Sequence, residues 1–229
     1  MNKTVLLPKS FQHKRYSDMQ INSFTVGPFA ENTNVLREDD ESLLVDPGFI
    51  EDSEYRQVKS AILENGSSLK AVLLTHAHVD HLLGLGRVLD DFDVPVYLSD
   101  KDRYLWNNFP SQAAMFGFRS EGFSFEPEPL KVQSEWKIGN FSFDVRYTPG
   151  HAPDHLSLYS REDEAVISGD ALFKEGIGRT DLYKGDFNTL ETSIREQLYT
   201  LPDETVVYAG HGPATTIGHE KKANPFVKA

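Results

Sequence analysis

Thr75-His76-Ala77-His78-Val79-Asp80-His81 is the stretch whose reading decides the fold. It directly follows a continuous apolar run at residues 71–74 that reads as a buried strand. The carboxyl ends of such strands are where α/β folds place their ligands. Chance produces H-x-H-x-D-H in a chain of this composition on the order of once in a thousand sequences. In extended backbone His76 and His78 point the same way and can share one ion, while Asp80 and His81 lie on the next turn and can reach a second. The bland alternative is a polar surface loop with idle histidines. It leaves four groups crowded at a strand end that would repel once protonated unless metal replaced the protons.

Working outward, three more candidate ligands stand at the ends of expected strands. His151 lies in Thr148-Pro149-Gly150-His151, Asp170 in Ser168-Gly169-Asp170, and His211 in Ala209-Gly210-His211-Gly212. The glycines beside them let backbone approach closely. Each alone would read as an ordinary buried or surface residue. Four ligand-bearing loops that all fall on strand ends read as one metal site.

Composition narrows the chemistry further. The 229 residues include eight histidines and no cysteine, so disulfides, thiolate nucleophiles and cysteine-held zinc or iron–sulfur sites are excluded. With 35 acidic against 23 basic side chains, the formal charge is −12, which argues against nucleic acid or an anionic membrane as partner. Near the N-terminus only Val5, Leu6 and Leu7 form an apolar run before Pro8. That is shorter than a secretory signal, and no other run approaches a membrane span. The expectation is a soluble cytoplasmic protein. Residues 1–19 read as a polar arm and residues 20–229 as a single domain.

Elements alternate along that domain. Strands are expected at 20–26, 34–37, 42–45, 71–74, 94–98, 130–132, 141–147, 156–160, 165–168 and 205–209, with helices at 51–64, 82–91 and 189–200. Residues 100–118 read as short helices broken at Pro110, residues 121–129 as a loop, and His219-Glu220 as the start of a last helix. The His76–Leu82 stretch is echoed by His151-Ala152-Pro153-Asp154-His155-Leu156, as in a domain of two similar halves packed face to face.

At this point the chain resembles the metallo-β-lactamase superfamily, and within it the glyoxalase II-like (hydroxyacylglutathione hydrolase-like) branch. The resemblance rests on THAHVDH at 75–81, TPGHAPDH at 148–155, SGDALFKEGIGRTDL at 168–182 and AGHGPATTIGHEKKANPF at 209–226. It implies an α/β fold, a four-layer αβ/βα sandwich, with two divalent metal ions at one edge: zinc first, iron or manganese as alternatives. It assigns His76, His78 and His151 to one ion and Asp80, His81 and His211 to the other, with Asp170 bridging. The implied activity is hydrolysis of a small-molecule thioester or related acyl substrate, such as S-D-lactoylglutathione. A hydroxide bridging the metals would attack the carbonyl, and Asp80 would orient it.

Some positions depart from that pattern. The family's helical C-terminal extension has little room in the 18 residues after His211. Arg179 stands where the family carries a basic glutathione contact, but Asp181 replaces an aromatic residue. Arg179 therefore reads either as a substrate carboxylate ligand or as the partner of Asp181 in bracing the loop. Asp154 replaces a common glycine, at a turn where aspartate tolerates left-handed backbone. His155 reads as packing behind the site rather than as a ligand, and His13 as exposed in the arm. The aromatics Trp106, Phe109, Phe116, Phe118, Phe123 and Phe125 read as core, one or two of them covering the site. The competing function is a persulfide dioxygenase with one iron on His76, His151 and Asp170. Gly210-His211-Gly212-Pro213 looks like the hydrolases instead. A non-catalytic binding protein fits poorly because no ligand is lost. A secreted β-lactamase is disfavoured by the N-terminus, and a metal-dependent RNase by the charge.

Overall fold

The computed structural model describes residues 19–229. The expected arm, with His13, lies outside the described residues apart from Met19. The Met19 N–H donates to Asp163 Oδ1 at 3.0 Å, and its side chain packs on the domain core.

Two six-stranded sheets form the centre of the molecule. The first takes its strands in chain order: β1 (Gln20–Val26), β2 (Glu31–Glu38), β3 (Glu41–Val45), β4 (Ser68–Leu73), β5 (Val96–Ser99) and β6 (Glu128–Leu130). β1 to β3 are an antiparallel meander, and β3 to β6 run parallel, with Leu44 opposite Val72 and Val72 opposite Val96. The chain then lays down β7 (Gln133–Ile138), β8 (Phe141–Tyr147), β9 (Leu156–Ser160), β10 (Ala165–Gly169), the small hairpin β11 (Leu172–Phe173) and β12 (Gly176–Ile177), then β13 (Val206–Ala209) and β14 (Thr215–Thr216). The second sheet is ordered β14-β13-β10-β9-β8-β7, antiparallel except for the β10–β13 pair.

The two-residue period of a strand sorts its side chains between layers. In β3 and β4, Leu43, Val45, Ala71 and Leu73 enter the core between the sheets, where they meet Phe141, Phe143 and Leu158. Leu44, Val72 and Leu74 point the other way, onto α1 (Asp52–Ile62) and α2 (Leu85–Asp91). On the second sheet Ile167 faces inward, while Val166 and Val207 face α5 (Phe187–Ser193) and its widened continuation Ile194–Leu198. Helix, sheet, sheet, helix: this is the four-layer sandwich that the resemblance implies. No helix among the described residues is long and apolar enough to cross a membrane.

Several boundaries differ from the sequence reading. The helix expected from residue 82 begins at Leu85, after a single 3-10 turn at Val79–His81. The helical segment 100–118 breaks at Asn108, between α3 (Tyr104–Asn107) and α4 (Phe109–Met115). Pro110 sits inside the first turn of α4, where a missing N–H costs nothing. The expected strand at 130–132 is two strands, β6 ending at Leu130 and β7 starting at Gln133, with Val132 exposed between them. The last helix, α6 (Ile217–Ala223), begins two residues before His219, capped by the Thr216 hydroxyl accepting from the His219 N–H.

Candidate metal centre

All seven expected ligands meet at the carboxyl ends of the strands. His76 and His78 follow β4, and Asp80 and His81 lie in the 3-10 turn. His151, Asp170 and His211 follow β8, β10 and β13. Each half of the sandwich contributes to the site. Donor atoms of His76, His78 and His151 lie within 4.8 Å of one another, as do those of Asp80, His81 and His211. Asp170 stands between the two groups: Oδ2 is 3.4 Å from His151 Nε2 and 3.5 Å from His211 Nε2, and Oδ1 is 3.5 Å from His81 Nε2.

Hydrogen bonds on the far side of each ring select the nitrogen that faces inward. Thr75 Oγ1 donates to Asp46 Oδ2 at 2.6 Å, so at 3.0 Å from His76 Nδ1 it accepts that ring's proton and leaves Nε2 bare. His151 Nδ1 donates to the Arg179 carbonyl at 2.8 Å, and His211 Nδ1 to the Ala30 carbonyl at 3.2 Å. In all three rings Nε2 faces the other candidate ligands, that of His151 meeting His78 Nδ1 at 2.8 Å and that of His211 facing Asp80 and Asp170. His155 has no such freedom. Its Nε2 accepts from the Asp170 N–H at 2.9 Å, and its Nδ1 meets Thr148 Oγ1 at 2.8 Å, so it positions Asp170 rather than binding an ion.

Charge divides the site into two. Burial, reinforced by neighbouring rings, holds His76 well below the ordinary histidine range and His78 at about 3. His151 is also lowered by burial, against the pull of Asp170. Burial acts the same way on His81 and His211, but the carboxylates overcome it. Asp170 and Asp80 hold His81 well above its usual value and His211 at about 10. Burial would raise Asp170, yet the His81 and His211 rings keep it well below the usual carboxylate range.

The donor set fits divalent cations. His76 Nε2, both nitrogens of His81 and Asp170 Oδ1 are buried without any hydrogen-bond partner. Such groups cost about 1–3 kcal/mol each when left unmet, and His76, His81 and Asp170 each offer a ligand atom within 4.8 Å of the others, so a cation explains them. Imidazole with carboxylate suits zinc, iron or manganese. Glycines admit the approach: a Cβ on Gly210 would collide with Asp170 Oδ1, and one on Gly178 with the Asp170 carbonyl.

Sequence reasoning missed four supporting residues. Asp46, directly after β3, lies with Oδ2 3.0 Å from His81 Nδ1, and its Oδ1 accepts from the Thr75 N–H at 2.8 Å. Glu31 is fully buried beside it, and burial holds its carboxyl well above the usual range. Thr75 links Asp46 to His76. Asn32 clasps the His211 loop, its N–H donating to the Gly210 carbonyl at 2.7 Å and its Nδ2 to the carbonyls of Ala209 at 3.0 Å and Gly212 at 2.7 Å. Asp46 ends a strand, so the rule that found the other ligands would have found it.

The remaining candidates are placed as follows. The Arg179 guanidinium pairs with Asp181 through two bonds, at 2.7 and 2.8 Å, on an exposed rim. Asp154 is buried with φ outside the positive range, so this turn does not require glycine. Trp106 and Phe109 are core, whereas Phe116 lines the cavity over the ligands.

The family model described as the metallo-beta-lactamase superfamily matches residues 26–211. The probable metallo-hydrolase YqgX of Bacillus subtilis is 40% identical over 88% of this chain and 94% of its own length. The hydroxyacylglutathione hydrolase GloC of Haemophilus influenzae is 35% identical over 92% and 99%. Among solved structures, BLEG-1 B3 metallo-beta-lactamase superposes with a TM-score of 0.81 at 36% identity, covering 92% of this chain and all of that one. TTHA1623 in a di-iron-bound form gives 0.79 at 34%, covering 90% and 100%. ETHE1 from Myxococcus xanthus gives 0.72 at 27%, covering 90% and 83%. Fold, donor set and relatives define a metal-dependent hydrolase. The chain belongs to the metallo-beta-lactamase superfamily.

Proposed function

We propose that this hydrolase cleaves thioesters, with S-D-lactoylglutathione as the reference substrate, using two divalent ions. The observation that carries this reading is the doubled donor set, two three-ligand groups joined through Asp170. His76, His78 and His151 would hold one ion, and Asp80, His81 and His211 the other. Zinc is the first choice and manganese an alternative; the di-iron neighbour supports iron equally. When bound, the cations supply Lewis acidity and a water acidified toward neutral pH.

The chain's own residues do the rest. Thr75 and the carbonyls of Arg179 and Ala30 hold three imidazoles in the binding tautomer. Asp80, with Oδ2 3.3 Å from His211 Nε2 and facing the cavity, is placed to orient a water and hold its proton. Arg179 would meet a substrate carboxylate only on leaving Asp181. The GloC relative supports the thioester class, and the charge of −12 suits a small-molecule partner rather than nucleic acid. The protein is expected to act in the cytoplasm.

The ETHE1 neighbour supports a second reading, a persulfide dioxygenase with one iron on His76, His151 and Asp170. Metal analysis of His211→Ala separates the two. The hydrolase reading expects two ions per chain to fall to one, with most thioester cleavage lost. One iron retained, together with oxygen uptake on glutathione persulfide, would overturn it.

A further inference from the structure

A cavity of about 660 Å³ opens over the candidate metal ligands. Its floor carries the candidate ligands, and its walls are mostly apolar, with Asn108, Ser111, Gln112 and Arg179 among them. Phe29, Tyr104, Met115, Phe116, Leu182 and Tyr183 form the apolar part, from the β1–β2 turn, the α3–α4 pair and the loop before α5. Four of them are open to solvent: Met115 at 81%, Phe116 at 53%, Tyr104 at 48% and Leu182 at 36%. Large apolar side chains clustered at one opening mark a binding surface, whereas scattered ones mark nothing.

The walls are braced before any ligand arrives. Phe29 meets Phe116 edge to face at 4.9 Å, and Tyr104 stacks on Tyr183 at 3.9 Å. Two cations at this opening are already engaged. Arg179, the one Lys or Arg among the lining residues, forks onto Asp181, and Lys184 takes Asp102 at 2.9 Å. A carboxylate-bearing arm entering here would have to displace Asp181 from Arg179 or exchange its water for neutral donors such as the Ser111 hydroxyl. An uncharged apolar arm meets aromatic faces and a methionine able to repack around it.

We propose that this opening is a subsite for an uncharged aryl or alkyl arm of the substrate. Thioesters bearing such an arm are then preferred over their glutathione counterparts. This rests on the thioester-hydrolase reading, in which water adds to the acyl carbon, the C–S bond breaks and the thiol leaves with a proton.

The test compares S-lactoyl benzyl mercaptan with S-D-lactoylglutathione on the zinc-loaded protein. The expected kcat/KM is at least tenfold higher for the benzyl thioester, and Met115→Glu with Phe116→Glu lowers that ratio at least tenfold. A ratio of one or less, or one that the double variant leaves alone, overturns the proposal. Calorimetric binding of 3-phenylpropionate against glutarate reads the subsite without turnover. Tenfold tighter phenylpropionate binding, lost in the double variant, supports it, and equal binding overturns it. Cleavage of neither thioester removes the hydrolase reading, while the calorimetry still decides the subsite. If the double variant converts a dimer to a monomer with the ratio unaltered, the rim is an interface between copies and the proposal fails.

Discussion

Asp154 lies where the histidine loops of the two halves touch, and it carries the clearest pH signature outside the ligand set. Its Oδ2 accepts from the Ala77 N–H at 3.0 Å, fixing the backbone between His76 and His78, while Oδ1 is buried without a partner. Burial pushes its carboxyl up to about 7. A carboxyl raised on folding stabilises the protein below its unfolded pKa of about 4, and that contribution is lost as pH rises through the folded value. Asp154→Asn keeps the acceptor and removes the charge. Its stability advantage over the native protein is expected to grow by roughly 2–4 kcal/mol between pH 4 and 8. Denaturant melts at the two ends of that range check it, and a gap constant with pH refutes the buried-charge account. Asp46 acts on the site differently, through His81 and through Thr75 to His76. Asp46→Ala, with every ligand intact, is expected to weaken metal affinity about 10–100-fold, read by competition with a chromophoric chelator.

These residues also show what a sequence can reveal. The seven candidate ligands were legible because metal chemistry restricts both residue type and position, and three strand-end loops repeated the lesson of the first. Asp46 obeys the same strand-end rule, directly after β3, but Asp-Pro-Gly also reads as ordinary turn chemistry and so hid it. Asn32 and Glu31 look like any polar strand residues, and only the packing of β2 against the His211 loop gives them work.

At the scale of elements, strands buried on both faces were easy to read and edge strands were not. β9 and β10 are buried along their whole length, and β4 over its apolar end Ala71–Leu73. β7, at the sheet edge, buries one residue, Trp136, whose ring meets Tyr97 edge to face at 5.1 Å. Its other positions are polar or half-exposed, so no alternation betrays it. The same fact makes Trp136 the anchor of that strand. Trp136→Ala is expected to cost about 3–5 kcal/mol in urea unfolding, against less than about 0.5 kcal/mol for Val132→Ala just outside the strand. Comparable losses from the two would remove the anchoring argument.

Across the whole molecule, the two sheets share an apolar core, but at the site they meet through polar groups. Asp80 and Asp170, with the buried Asp46 and Glu31, gather carboxylates at the seam. Cations bound there stabilise the folded chain by mass action, because the unfolded chain offers no such cluster. Removing metal with a chelator is expected to lower Tm by several degrees, and adding back zinc to restore it, as read by scanning calorimetry. An unchanged Tm would mean that the cluster does not hold metal in solution.

The clasp of Asn32 on the His211 loop has a kinetic consequence. With its backbone and side chain bonded to the carbonyls of Ala209, Gly210 and Gly212, Asn32 ties the two halves together at the His211 loop. The mouth above the ligands is then the expected route for ions and substrate alike. Exchange of an ion is then expected to slow when substrate occupies that mouth.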